Sequence, residues 1–171
     1  MDKQYRPCAG IVVFNNKGKV LLCRRKGIEG AFQFPQGGIE DNESIEDAAR
    51  RELYEETGIK NVILVSQESE PICYDFSEEV RNAFLKKGIF NRGQKIYFSL
   101  YFFSGNDEEI DFELFEQEFD EYRWENFDFA IEHIIAFKKD VYKLIALKFM
   151  PLIEQYLGTK SWYLGWFSLN R

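Results

Sequence analysis

Only one histidine, His133, occurs among the 171 residues. That scarcity excludes multi-histidine metal centres and leaves Ser-His-Asp catalysis without support. His133 itself is expected to be a partly buried structural residue near a helix. Acid–base work then falls on carboxylates, Lys or Tyr. Cysteine is almost as sparse: Cys8, Cys23 and Cys73 are scattered with no C-x-x-C pair. Neither a disulfide framework nor a zinc site can be read from them, and they are expected to act as small apolar residues in a reducing compartment. No apolar run approaches the ~20 residues that span a bilayer, and residues 1–6 do not open a signal peptide. The expectation is a soluble, cytoplasmic protein that engages no membrane. Positive charge is also in deficit, with 22 Lys and Arg against 29 Asp and Glu, net −7. A polyanion would not be held by the overall field, so it needs a local basic patch or bound metal.

What the chain has in abundance is apolar and aromatic surface: 45% hydrophobic residues, 17 Phe and 9 Tyr. At this length that describes one globular domain with a substantial core. Residues 8–14 and 19–25 read as an antiparallel pair about a turn at 15–18. A short extended piece covers 32–35. Ser44 with Asp47 resembles a capping box, so a helix should start near Ser44, and Gly58 should cap its end. Strands are expected at 61–66, 70–75 and 95–103, with a loop and a short helix over 77–93. Residues 106–117 are acidic and expected to be exposed. Arg123 and Trp124 are placed on a short strand. A long amphipathic helix is expected over 137–157, with an adjustment at Pro151. The tail, 158–171, carries Trp162, Tyr163, Trp166 and Phe167, and is expected either to pack back on the domain or to contact another chain.

The helix between Ser44 and Gly58 carries Glu52, Glu55 and Glu56 at i, i+3 and i+4. Three carboxylates within one turn repel one another unless something positive sits among them. With ~100° per residue and Ile45 at zero, Ala48, Ala49 and Leu53 form the apolar face. The three glutamates fall in that same sector, while Glu46, Asp47, Arg50, Arg51 and Tyr54 lie opposite. A merely solvated acidic face would lie away from the core. Oxygen donors without His or Cys suit a hard divalent cation, Mg²⁺ or Mn²⁺.

The order Gly37, Glu43, Arg51-Glu52-Leu53, Glu55-Glu56, Gly58-Ile59 resembles the full Nudix box. The resemblance implies an α/β fold, an α/β/α sandwich with a mixed β-sheet and a catalytic loop-helix-loop, and hydrolysis of a nucleoside diphosphate linked to another moiety. A narrower likeness runs over residues 5–157. Tyr5-Arg6-Pro7, residues 33–38, Gly93-Gln94-Lys95, Glu118-Phe119-Asp120 and residues 137–142 resemble the bacterial RNA 5′-pyrophosphohydrolases and the dinucleoside polyphosphate hydrolases of the same branch. That sets a domain at 1–157 and leaves 158–171, and the acidic segment 106–117, outside the likeness. The implied substrate is an RNA 5′ end or a dinucleoside polyphosphate. A non-catalytic binding module of the same fold is the third reading, and the intact Glu52, Glu55 and Glu56 speak against it.

The resemblance also implies roles. Two or more Mg²⁺ or Mn²⁺ ions would be held by Glu52 and Glu56, with the Gly37 carbonyl, Glu55 and Glu118 as further donors. The general base is either Glu55 or Glu118. Arg51 would orient a catalytic carboxylate, and Glu43 would stabilise the helix dipole or act behind the ligands. Arg6, Lys95, Lys138 and Lys139 are candidates for phosphate contact. Ile135 and Phe137 are candidates to sandwich the first base, against the plain alternative that Phe137 packs in the core.

Overall fold

A computed structural model describes residues 4–168, with side chains described only to residue 158. The backbone forms an eight-stranded mixed sheet between helices on its two faces. Strand β1 (Tyr5–Phe14) is central and pairs in parallel with β7 (Gly93–Phe103) over its whole length. Antiparallel partners flank this pair. On one side β1 meets β2 (Val20–Arg25) and β4 (Gln36–Gly38), and β2 meets β3 (Phe32–Gln33) and β8 (Phe119–Glu125). On the other, β7 meets β5 (Val62–Gln67) and β6 (Ile72–Asp75).

Strand alternation divides the core in two. Ala9, Ile11, Val13, Leu21, Tyr101 and Phe119 face helix α1 (Ile45–Thr57), which buries Ala48, Ala49 and Leu53 against them. Cys8, Val12, Phe14, Leu22, Phe98 and Leu100 face α3 (Phe127–His133) and α4 (Lys139–Ser168). Helix α2 (Glu78–Lys86) buries no residue and lies in the β6–β7 connection. The ends of α1 obey local chemistry. Ser44 accepts the Asp47 amide at 3.1 Å, and Gly58 closes the helix at φ 77°.

Several elements depart from the sequence expectation. Strand β1 starts at Tyr5 rather than residue 8, because parallel pairing with β7 extends it through Pro7, whose carbonyl accepts from Ile39. Helix α4 starts at Lys139, after a 3₁₀ turn at Ala136–Lys138, instead of at residue 137. It carries Pro151 inside it and continues past residue 157 to Ser168, so Gly158 does not stop it. The side chains of Trp162, Tyr163, Trp166 and Phe167 lie outside the described residues. Cys8 and Cys23 are buried as expected, while Cys73 is exposed. His133 ends α3 with its ring stacked on Phe129 at 3.7 Å. The 106–117 segment is largely exposed, anchored by Phe112 against Phe119 and Tyr122 and by Phe115 against Tyr54.

The stretch from β3 to β4 is fixed from the other face of the sheet. The fully buried Tyr142 of α4 stacks on Phe34 at 4.6 Å, and its hydroxyl accepts the Phe34 amide at 2.9 Å. Tyr142→Phe keeps the ring and leaves that buried amide unpaired. It should lower unfolding stability by about 1–3 kcal/mol in urea titrations.

Candidate active site on helix α1 and strand β4

The C-terminal half of α1 lies against β4. Gly37 and Gly38 are adjacent on that strand, so their missing side chains would point to opposite faces. A Cβ on Gly37 would run into the Glu52 carboxyl group, and one on Gly38 into the Arg6 guanidinium. Bare backbone is what lets both charged groups approach. Gly37 sits opposite Ala9 in the β1–β4 ladder.

Arg51 is the hub of the acidic side. Its guanidinium grips Glu43 bidentately at 2.8 and 2.9 Å, donates to the Gly38 carbonyl at 2.9 Å, and reaches Glu52 at 2.8 Å and Glu55 at 3.3 Å. Arg51 is therefore turned toward β4, not out on the polar face where angular counting placed it. The long side chain follows the attraction of several carboxylates, which helical angle alone does not contain. The ion pair holds the Glu43 carboxyl down at about 2.

The three glutamates separate. Glu56 is buried, Glu52 is half-buried, and Glu55 is exposed. Relative to Glu52, Glu56 lies about 40° toward Leu53, whereas Glu55 lies about 60° the other way, at the outer edge of the face. The expectation that all three turn inward thus holds for Glu52 and Glu56 and fails for Glu55. Burial pushes the Glu56 carboxyl well above the usual range, and the charge of Glu118 adds to it. One Glu56 oxygen accepts the Gln36 amide at 2.9 Å. Glu52 is also raised, first by burial, with Glu55 and Glu118 adding and Arg51 opposing. Glu118 lies on the exposed approach to β8, close enough to act on both.

This donor set fits a hard divalent cation. It is oxygen-only, it holds Glu56 buried and Glu52 half-buried against mutual repulsion, and it stands beside bare backbone at Gly37. Among the described residues, no three His, Cys, Asp or Glu side chains converge on one point. An ion here would draw on pairs of carboxylates, backbone and water, as suits a hard divalent cation.

The second cluster lies on the α3–α4 side of the same rim. Lys138 is buried rather than held out on the surface. Its ammonium donates to the Gln36 side chain at 3.1 Å and lies 5.5 Å from the centre of the Tyr74 ring. Burial lowers its pKa to about 8. Gln94 accepts from Tyr74 and, at 3.3 Å, from Gln36. Phe137 is part-buried against Tyr74, with ring centres 5.7 Å apart. Ile135 is exposed, Lys139 and Lys95 are half-buried, and Arg6 is exposed beside Gly38. Arg25 is exposed at the end of β2 and acts electrostatically on both Glu56 and Lys138. Sequence reading missed Arg25, Tyr74, Gln36 and Gln94. Gln36 and Gln94 stood inside motifs already singled out, whereas Tyr74 is brought in only by β6–β7 register. A hollow of about 320 Å³ opens elsewhere, lined by Gly18, Phe127, Met150 and Leu157 among others. None of the clustered carboxylates lines it, so cavity volume does not mark this site.

The NUDIX domain description matches residues 4–147. The chain is 38% identical over 154 residues to the RNA pyrophosphohydrolase of Wolbachia pipientis subsp. Culex pipiens, covering 90% of this chain and 94% of that protein. It is 43% identical over 149 residues to the RNA pyrophosphohydrolase of Caulobacter vibrioides, covering 85% of this chain and 86% of that protein. The chain belongs to the Nudix family. Among solved structures, the Nudix chain resembles the E. coli dihydroneopterin triphosphate pyrophosphohydrolase at TM-score 0.59 and 16% identity, covering 91% of this chain and 98% of that one. It also resembles a C. elegans Ap4A hydrolase binary complex at TM-score 0.58 and 18% identity, covering 81% and 93%. These likenesses bear on the fold, a mixed sheet between helices as the box implied.

Two outcomes test the geometry. Gly37→Ala should displace the Glu52 carboxyl and cut turnover by about tenfold or more while the protein stays folded, read by kinetics beside circular dichroism. Lys138 is charged below its lowered pKa and neutral above it. KM for an anionic substrate should therefore rise about tenfold from about pH 7 to about pH 9. In Lys138→Met, KM should be high throughout and that dependence absent.

Proposed function

We propose that this protein removes pyrophosphate from the 5′-triphosphate end of RNA, leaving a 5′-monophosphate, and that residues 1–157 form the catalytic unit. The observation that carries the reading is the carboxylate cluster gathered by Arg51 beside the bare Gly37. Relatives named RNA pyrophosphohydrolase, matched over most of the chain, support the substrate.

Two or more Mg²⁺ or Mn²⁺ ions are assigned to Glu52, Glu56, Glu118 and the Gly37 backbone, with Glu55 at the exposed edge. When bound, such ions neutralise phosphate charge and lower the pKa of coordinated water. The chain's own groups do the rest. Arg51 fixes Glu52 through a short ion pair and is itself anchored by Glu43 and Gly38. Glu55 and Glu118 are the candidates to take the proton from the attacking water. Glu55 lies 3.3 Å from the Arg51 guanidinium, which fixes its carboxylate at the exposed edge of the cluster. Lys138 and Arg6 approach the rim from the other face and are assigned to the phosphates, with Lys95 and Lys139 beside them. Phe137, backed by Tyr74, and the exposed Ile135 are assigned to the first base. The compartment expected for such a substrate is the cytoplasm.

Diadenosine polyphosphates are the second reading, because Arg6 and Lys138 recognise phosphate whatever is attached to it. Incubation with 5′-triphosphate RNA and Mg²⁺ should yield pyrophosphate and 5′-monophosphate RNA, with a higher kcat/KM than for diadenosine tetraphosphate. The reverse order would transfer the function to the dinucleotide. Glu52→Gln should lower kcat by about 10²-fold or more without unfolding the protein. Phe137→Ala should weaken RNA turnover more than dinucleotide turnover, and equal losses on both would refute base stacking.

A further inference from the structure

Charge is segregated along the chain to a degree the net value hides. Between residues 80 and 106 there is no Asp or Glu, but Arg81, Lys86, Lys87, Arg92 and Lys95 are present. Between 107 and 121 there is no Lys or Arg, but nine acids: Asp107, Glu108, Glu109, Asp111, Glu113, Glu116, Glu118, Asp120 and Glu121. The first block runs from α2, after the Glu78 and Glu79 of its first turn, through β7, and the second leads into β8. The carboxylate cluster belongs to the acidic flank through Glu118, and the Lys138–Tyr74 cluster adjoins the basic one.

The basic excursion is joined to the candidate base site by a run of rings. Phe137 meets Tyr74 at 5.7 Å, Tyr74 meets Phe76 at 6.0 Å, and Phe76 meets Phe84 of α2 at 5.1 Å. Its root is clamped. Arg92 pairs with Asp75 at 2.6 Å, Asp75 accepts the Tyr5 hydroxyl at 2.5 Å, and the Phe76 amide donates to the Arg92 carbonyl at 3.0 Å. Arg92 is therefore a structural cation. Lys86 and Lys87, at the far end of α2, are exposed, and Phe90 beyond them is 79% exposed. Helix α2 gains little from burial, so an exposed phenylalanine beside a lysine pair has no packing role of its own.

Cations beside an exposed aromatic ring, here Lys86 and Lys87 beside Phe90, are what a single-stranded polynucleotide binds without sequence preference. We propose that residues 80–92 form the track for the RNA strand downstream of the 5′ nucleotides, with Lys86 and Lys87 meeting backbone phosphates and Phe90 stacking on a base. The acidic block on the opposite flank repels the same strand and so fixes its direction of exit. The inference rests on the RNA reading and deepens it. A dinucleoside polyphosphate ends at the site and does not reach α2, so the track separates long substrates from short ones.

The test compares kcat/KM for a 5′-triphosphate dinucleotide and for a 5′-triphosphate RNA of about 20 nucleotides across a range of salt. For the charge-reversed K86E/K87E protein, the long RNA should lose about tenfold and the dinucleotide should stay within about twofold of the parent. For K86A/K87A, the slope of log kcat/KM against log salt on the long RNA should be shallower by about 1.4, two single-strand phosphate contacts' worth. F90A should add a further loss confined to the long RNA. Undiminished turnover of long RNA by the reversed protein overturns the track and leaves an acidic protein surface as the partner. Equal losses on both lengths overturn it as well. A parent protein that hydrolyses diadenosine tetraphosphate but neither RNA removes the RNA reading itself, an outcome distinct from the other two.

Discussion

Carboxylates crowded against the end of a helix are the constraint to which the rest of this structure answers. Glu52, Glu55 and Glu56 sit in the last turns of α1, where the helix dipole is negative, and no basic residue occupies the last turn to offset them. Glu118 adds its charge from the approach to β8. Among the described residues, the guanidinium paired with this set is that of Arg51, which reaches Glu43, Glu52 and Glu55 but not Glu56 or Glu118. The ledger of charge is left negative by design of place rather than composition, since Lys and Arg are available elsewhere in the chain. A site that stays short of positive charge while burying Glu56 and half-burying Glu52 is poised for an external cation, and the polyanion that comes with it.

How much of this was legible in the sequence depended on whether a feature is local. Helix α1 was readable at both ends because Ser44 and Gly58 act on their own backbone neighbours. The Gly37 to Ile59 pattern was readable for the same reason. What could not be read was whatever needs a distant partner. Pro7 hides the start of β1 until β7 is known to lie alongside it. Strand β4 is three residues long and exists only as the partner of β1. The part of Tyr74 in the site follows from its register with Gln94. Burial of Lys138 is likewise tertiary, because a lysine before a helix reads as a surface residue until Gln36, Tyr74 and Cys8 close around it. Helix α3 fell between a short strand and a long helix, and seven residues gave too little periodicity to find it.

The sheet separates two kinds of work and then lets them meet. On the α1 face stand the acids. On the α3–α4 face stand Lys138, Tyr74, Phe137 and Arg6. Side chains on neighbouring positions of a strand cannot normally cooperate across it, because they point to opposite sides. At β4 the two neighbouring positions are Gly37 and Gly38, so only backbone lies between Glu52 and Arg6. A negative and a positive wall therefore flank a strip of bare peptide at the rim. A chain of phosphates with its counterions fits that arrangement, since the acids face cations and the basic residues face the phosphates themselves.

The same arrangement explains why the site is held so firmly from behind. A buried lysine and a buried glutamate each oppose stability, and apolar replacements of similar volume would often be neutral or better for the fold. Their positions are nevertheless over-determined. Glu56 accepts the Gln36 amide, Lys138 donates to the Gln36 side chain, and Tyr142 pins Phe34 two residues upstream. Gln36 thus ties the acidic and basic clusters together through its backbone and its side chain at once. A displacement of β4 would disturb both clusters together, so the two halves of the candidate site keep a fixed relation that neither helix α1 nor helix α4 could impose alone.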